Sequence, residues 1–328
     1  MDVDVVVNLR ARRGSLEVAE KCRRALPGAR VLSSRSLEEA VAFARPDALV
    51  VSAGGDGTAA GLINSLRADV MRMGILPLGT GNAWAHETET PHWREAVERL
   101  GEQVERRADL PMRRFDLVAV TFPGDGPSTL AHFAGTGWDA EIIDDFHSQK
   151  DGAGLLPSRM RNGLLGYLQG VFTRTIPRNL RAREPVEVEI TNTGSDAIGV
   201  DDEGRPFKIP GGEHGKVLYR GPSSICSAGT TTGFGFGFKA FPFAGLVPRR
   251  ICLRIYAGGA GEATLNMARL WRGQHPMPKM HTFLVDRVRA VFSRPVPFQA
   301  GGDRLGHKSE IEYRVADQQV DVLDWARM

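Results

Sequence analysis

"ALVVSAGGDGTAAGLINSL", residues Ala48 to Leu66, joins an apolar run of strand length to an amphipathic stretch through five turn-prone positions, Gly54 to Thr58. One carboxylate, Asp56, stands among the glycines. Strand, glycine turn and helix in that order make the first part of a βαβ unit. "MGILPL" then reads as a second strand and leads to a second glycine loop, "LGTGNAWA", Leu78 to Ala85. A right-handed crossover places two such strands in one parallel sheet, with both loops at its carboxyl edge. Ligands of open α/β sheets bind at that edge.

Upstream, the apolar run Val3 to Val7 ends at Asn8, and "SLEVAEKCRRAL" has helical spacing until Pro27 and Gly28 stop it. "ARVLSS" reads as a strand, and "SLEE", Ser36 to Glu39, as a capping box that opens another helix. The N-terminal third therefore alternates strand and helix, the pattern of an open, mostly parallel sheet. From about Arg113 the texture changes to strand-length runs separated by Gly, Pro and Asp turns: "FDLVAVTF", "TLAHFAG", "EPVEVEITN", "GKVLYRG", "RRICLRIYA", "VRAVFS" and "EIEYRV". These predict a β-rich, sandwich-like second domain. The expected division is an α/β domain over 1–112 and a β domain over 113–314, with the tail from about 315 to 328 packing back on the first.

Composition sets limits on both. The chain has 328 residues, 42% hydrophobic and 25% charged, with a formal charge of +3, which suits two ordinary soluble domains and does not by itself imply nucleic acid. Three widely spaced cysteines form neither a disulfide framework nor a Cys-x-x-Cys site, which fits a reducing cytoplasm. The acidic start "MDVDVVVNLR" is too short in its apolar run for a signal peptide, and no run of roughly 18 apolar residues occurs elsewhere. A soluble or membrane-surface protein is expected.

The chemistry is sought in the two loops. Glycines let backbone N–H groups approach phosphate oxygens that a Cβ would hold away. Thr58 and Thr80 add hydroxyls, and the helix beginning near Thr58 offers its positive N-terminus. Asp56 cannot itself attract phosphate. It has a role there if Mg²⁺ lies between, directly or through water; the other reading is a tight connector with Asp56 near a helix N-terminus. No G-x-x-x-x-G-K-[ST] run is present, so this is no P-loop, nor does a G-x-G-x-x-G with a ribose-binding acid occur.

These residues resemble the diacylglycerol kinase catalytic family, which includes bacterial lipid kinases and sphingosine kinases. "VVSAGGDGT", "ILPLGTGNAWA" and "HFAGTGWDAEI" carry the resemblance, with "VRAVFSRPVPFQAGGD" as the late strand pair. "GGDGT" alone is shared with NAD kinases and 6-phosphofructokinases; "LPLGTGN" after it points to the lipid-kinase branch. The resemblance implies an α/β nucleotide-binding domain and a β-sandwich domain, with ATP and Mg²⁺ as cofactors. Binding residues carried over are Asn8, Arg10, Gly54, Gly55, Asp56, Gly57, Thr58, Gly79, Thr80, Gly81 and Asn82, with Asp56 as the magnesium residue and Asp56 and Asp303 as the catalytic pair. Several positions depart from the family. Leu9 follows Asn8 where many members have proline, Ala83 replaces the acid after "GTGN", Ala244 to Ile255 lacks an acidic pattern, and "GGD" at Gly301 to Asp303 stands for the family's "DGE".

The resulting expectation is an ATP- and Mg²⁺-dependent kinase acting on a lipid hydroxyl of diacylglycerol or sphingoid type. Its rivals are an NAD kinase-like phosphotransferase and a nucleotide- or lipid-binding homologue without turnover. "RMRNGLLGYLQGVFTRTIPRNLRAR", residues 159–183, has six arginines and an apolar face, so it reads either as a reversible contact with an anionic membrane surface or as a packing helix with a solvated arginine face. "FGFGF", Phe234 to Phe238, predicts a strand with three phenylalanines on one face. No nucleic-acid partner is expected, the location is cytoplasmic and peripheral to a membrane, and the oligomeric state is left open, a homodimer included.

Overall fold

The structure is a computed structural model that describes residues 2–138, 140–141, 185–235 and 237–328. The chain forms two compact units: Met1–Asp116 with Gly235–Gly237 and Asp317–Met328, and Leu117–Phe234 with Phe238–Ala316. The arginine-rich segment 159–183 and Phe236 lie outside the described residues.

The first unit begins β1 (Val3–Asn8), α1 (Leu16–Ala25), β2 (Arg30–Ser34), α2 (Leu37–Phe43), β3 (Leu49–Gly54), α3 (Asp56–Leu66), β4 (Val70–Pro77), α4 (Ala83–Glu87) and α5 (Trp93–Glu105). β2, β1, β3 and β4 pair in that order, all parallel. The central strands β1 and β3 are almost wholly buried, every residue of β3 included, whereas the edge strand β2 is half-exposed. On one face the alternate residues Val3, Val5 and Val7 of β1 meet Val18, Ala19 and Cys22 of α1 and Trp93, Ala96, Val97 and Leu100 of α5. Those four α5 residues recur at helical spacing, one apolar stripe on an otherwise charged helix. At Gly101 a Cβ would lie 2.3 Å from the Ala25 carbonyl oxygen, which explains the glycine in α5. Ser15 and Ser36 cap α1 and α2 by accepting the N–H groups of Val18 and Glu39. At the sheet's start, buried Asp4 accepts from Arg45 through both oxygens, at 2.8 and 3.1 Å, and from the Arg45 backbone N–H at 3.0 Å.

The second unit is β-rich and largely antiparallel, with β5 (Met112–Thr121) entering from the first, then β6 (Thr129–Ala131), β7 (Phe133–Gly137), β8 (Glu187–Asn192), β9 (Ile198–Val200), β10 (Pro206–Lys208), β11 (Val217–Pro222), β12 (Ile225–Gly229), β13 (Ile251–Tyr256), α6 (Ala260–Leu265), α7 (Met267–Trp271), β14 (Met280–Val285), β15 (Arg287–Ala300) and β16 (Asp303–Leu323). β15 pairs with β16 along one edge; along the other it pairs first with β8, then with β7. The β15–β16 register shifts between Val291 and Val296 and again between Pro297 and Gln299. The end of β16, Gln319 to Val322, pairs in parallel with β4, adding a strand to the first unit's sheet.

Three readings of the sequence are corrected. "TLAHFAG" is two strands, β6 and β7, with His132 between them. Ala83 to Ala85 belong to α4 rather than to a loop. "FGFGF" is no regular strand at its described positions: the Phe234 N–H donates to the Phe238 carbonyl at 3.1 Å, and Gly235 and Gly237 have φ of 112° and 77°. Phe234 packs edge-on against Phe133 and Phe241.

Candidate active site

The two glycine loops meet at the carboxyl edge of the parallel sheet. β3 and β4 are register neighbours up to Gly54 opposite Pro77, and the Leu78 N–H donates to the Gly54 carbonyl at 2.9 Å. Beyond that bond the backbones touch. A Cβ on Gly79 would lie 2.4 Å from the Gly55 Cα and 2.9 Å from Asn82 Oδ1; one on Gly55 would lie 3.1 Å from the Gly79 Cα. A Cβ on Gly54 would meet Thr58 Oγ1 at 2.3 Å, so this glycine lets the Thr58 side chain fold back over the strand end. The glycines thus first serve to bring one loop against the other, at negative φ in the case of Gly55.

Each polar side chain then fixes a backbone. Asn8, at the end of β1, donates through Nδ2 to Thr58 Oγ1 at 2.8 Å and accepts the Arg10 N–H at 2.8 Å. Asn82 adopts the left-handed conformation, φ 50°, which asparagine tolerates better than most residues. Its Oδ1 accepts the Gly79 N–H at 3.0 Å and its Nδ2 donates to the Gly79 carbonyl at 3.2 Å, closing "GTGN" into a ring. The amide of Asn82 is therefore committed to loop shape.

Asp56, the first residue of α3, accepts the Trp84 N–H through Oδ1 at 3.2 Å. Burial pushes its carboxyl above the ordinary range, while the N–H groups of Ala83, Trp84 and Asp56 itself, and the charge of His86, pull it back without cancelling the rise. The carboxylate thus caps α4 from another loop, an arrangement favoured by the partial positive charge of a helix start. Asp56 Oδ2 faces Gly81, where a Cβ would lie 3.3 Å away. Among the described residues no group of three or more His, Cys, Asp and Glu could hold a metal ion. Asp56 alone fits Mg²⁺ only as one carboxylate beside phosphates and water, the usual manner for that ion.

A cavity of about 170 Å³ opens beside the first loop, lined by Asn8, Arg10, Ser34, Arg35, Gly57 and Thr58 among others. The contribution of the β2 end, Ser34 and Arg35, had no motif to reveal it. Gly235 was likewise missed: with φ of 112°, it lies so close to Gly81 that a Cβ would be 3.0 Å from the Gly81 carbonyl oxygen. Its signal was the Gly-x-Gly pattern, which reads equally as a strand. Thr80 and Gly81 are half-buried, and Gly57 is exposed at the start of α3.

Asp303 lies in the second unit. Ala300 and Asp303 are register partners, and Gly301 and Gly302 between them have φ of 57° and 91°, a two-residue hairpin turn of type I′ character. The turn is fixed by the Gly301 N–H, which donates to the Phe133 carbonyl at 2.8 Å, and by the Gly302 N–H, which donates to Gln299 Oε1 at 3.1 Å. Asp303 is exposed as the first residue of β16.

Residues 10–112 match the family model of the diacylglycerol kinase catalytic domain. A search of curated protein sequences gave no match. A diacylglycerol kinase from Bacillus anthracis superposes with a TM-score of 0.62 at 15% identity, covering 100% of this chain and 98% of its own. An NAD kinase from Archaeoglobus fulgidus, solved with ATP, gives 0.51 at 14% identity over 98% and 93%, and yeast NADH kinase, solved with NADH, gives 0.52 at 12% over 100% and 86%. The stretch that holds both glycine loops thus matches the diacylglycerol kinase catalytic domain, and the whole chain has the fold shared by diacylglycerol kinases and NAD kinases.

Proposed function

We propose that this chain is an ATP-dependent kinase that transfers a γ-phosphoryl group to a lipid hydroxyl of diacylglycerol or sphingoid type. The observation that carries the reading is the backbone contact of Gly55 with Gly79, which brings two glycine loops together at the carboxyl edge of a parallel sheet, where open α/β sheets bind ligands, inside the matched stretch. The archaeal NAD kinase of the same fold was solved with ATP, which supports ATP as donor.

Phosphoryl transfer requires positioning and charge neutralisation more than covalent chemistry from the protein. Here the glycine backbones and the Thr58 and Thr80 hydroxyls hold the phosphates, and Arg10 at the loop after β1 supplies positive charge. Asn8 positions Thr58, and Asn82 positions the second loop. When Mg²⁺ is bound, it neutralises phosphate charge next to Asp56. Asp303 is assigned as the group that accepts or orients the acceptor hydroxyl proton, in place of the family's glutamate; being one methylene shorter, it needs closer approach or a bridging water. A lipid acceptor also implies reversible contact with a membrane surface. Among the described residues no helix is long and apolar enough to cross one.

The yeast NADH kinase that shares the fold favours a second reading, phosphoryl transfer to a dinucleotide. One experiment separates the readings. Purified protein, γ-labelled ATP and Mg²⁺ are incubated with a fractionated lipid extract or with NAD, and the label is followed into organic and aqueous products. An organic-soluble product supports the lipid kinase, a labelled dinucleotide supports the second reading, and bound ATP with neither product overturns both. Asp303→Asn should abolish the product without weakening ATP binding, and Asp303→Glu should preserve it; an Asn variant as active as wild type removes Asp303 from the mechanism.

A further inference from the structure

The kinase reading leaves one part of the first unit without a task, the residues that follow β2. They form a wall of the cavity of about 170 Å³ beside the first glycine loop, and their chemistry differs from what a nucleoside requires.

Most polar side chains on that lining are already committed to the backbone or to one another. Asn8 donates to Thr58 Oγ1 and accepts the Arg10 N–H. The Ser34 hydroxyl donates to the Glu39 carboxylate while its oxygen accepts the Ser36 N–H at 2.8 Å, and Ser36 Oγ accepts the Glu39 N–H at 3.3 Å as the cap of α2. Two side chains remain. Arg10 and Arg35 are exposed, line the cavity, and make no ion pair and no side-chain hydrogen bond among the described residues. A guanidinium carries donors alone, so neither can accept a hydrogen bond.

A ribose asks for the opposite. In dinucleotide-binding sheets an acid beyond the second strand accepts the ribose 2′-hydroxyl; here the residue after β2 is Arg35. Among the described residues neither a carboxylate nor an aromatic ring lines the cavity, so a sugar meets no charged acceptor in it and a base no ring to stack on. Phosphate matches both arginines, through paired, charge-assisted N–H donors. Distance points the same way. The strand order β2, β1, β3, β4 puts the gap between β1 and β2 about 10 Å, two strand spacings, from the gap between β3 and β4 where Gly55 meets Gly79. That is the reach of a polyphosphate chain rather than of a single phosphate.

Resting on the kinase reading, we infer that this cavity holds the inner phosphates of the donor while the paired loops hold the γ-phosphate, and that Arg35 sets donor specificity. The donor class is a nucleoside triphosphate recognised by its phosphates, whatever its base and whether its sugar is ribose or deoxyribose.

The test uses the full chain with Mg²⁺ and calorimetric titration of ATP, dATP, GTP, ADP and inorganic tripolyphosphate, for wild type, Arg35→Gln and Arg35→Lys. ATP, dATP and GTP should bind wild type alike, and ADP more weakly. Arg35→Gln should weaken ATP, dATP, GTP and tripolyphosphate by one common factor of about tenfold, the scale of one charge-assisted hydrogen bond. Arg35→Lys should recover part of that loss, and both variants should melt as wild type does, because Arg35 is exposed. Tripolyphosphate should slow amide exchange of wild type at residues 34–37 as well as at Gly54–Thr58. Wild-type ATP affinity in Arg35→Gln, or a deficit of dATP or GTP against ATP as large as the loss expected for that variant, overturns the inference and leaves the kinase reading standing. A wild-type protein that binds none of the five removes the kinase reading itself, and the inference with it.

Discussion

The sequence Ala-Gly-Gly-Asp occurs twice in this protein, at Ala53–Asp56 and at Ala300–Asp303, and it folds in two ways. In the first copy the strand runs to Gly54, Gly55 is extended at φ −104°, and Asp56 begins a helix while its carboxylate caps the start of another. In the second, the strand stops at Ala300, both glycines have positive φ, and Asp303 begins the return strand of a hairpin. The tetrapeptide permits both, and the residues on its C-terminal side decide between them. "GTAAGLINSL" has helical spacing and pulls the chain into α3, whereas "RLGHKSEIEYRV" can pair back on β15 through a two-residue turn. Glycine serves close approach between backbones in one copy and a left-handed turn in the other.

Alanine at one glycine of each region separates these uses. Gly79→Ala should be the most damaging change, because its Cβ would sit 2.4 Å from the Gly55 Cα, backbone against backbone. A loss of about 3 kcal/mol is expected in denaturant melts, together with lost ATP affinity. Gly302→Ala meets open space and faces only its φ of 91°, so it should cost about 1–2 kcal/mol and leave ATP binding intact. Equal losses in the two variants would break the distinction.

Acid should sharpen the contrast. Burial pushes His132 of the second unit down to about 3, so the folded form stays neutral while the unfolded chain takes up a proton below about pH 6.5. Stability is therefore lost as pH falls below that value, by about 2 kcal/mol at pH 5, and His132→Gln should flatten the dependence. Burial also acts to raise Asp4 of the first unit, but the Arg45 bonds and the Arg30 charge outweigh it, and the net shift is downward. Its contribution persists at pH 5 and is lost only below the ordinary carboxylate range. Melts of wild type and His132→Gln at pH 7 and pH 5 check this; equal acid sensitivity in both would contradict it.

The two aspartates should differ by less. Asp56→Ala removes the α4 cap and should cost about 1–2 kcal/mol, with Asp56→Asn, which keeps an acceptor, costing less. Asp303→Ala, at an exposed strand start, should stay within about 0.5 kcal/mol. Thermal melts of the three variants suffice, and an Asp303 loss as large as that of Asp56→Ala would mean that the hairpin depends on the carboxylate.

Much of the first unit was legible because its signals are local. The Ser36 capping box, the alternation of strand and helix and the two glycine loops lie within short windows of sequence. What escaped is set by tertiary partners. The capping role of Asp56 depends on an N–H 28 positions away, at Trp84. The ring closed by Asn82 needs a left-handed backbone, and Gly235 reaches Gly81 from a segment that alternation alone would make a strand. Likewise β8 and β7 share one edge of β15, at Val288–Phe292 and at Phe298–Ala300, which no periodicity records.

Amide exchange of the wild-type protein with and without ATP tests the central claim most directly, since it requires no variant to fold. If the paired loops are one nucleotide cradle, ATP should slow exchange at Gly54–Thr58 and at Gly79–Trp84 together, with Asn8 to Arg10 protected alongside. Saturable ATP binding that protects other residues and leaves both loops unchanged would contradict the account.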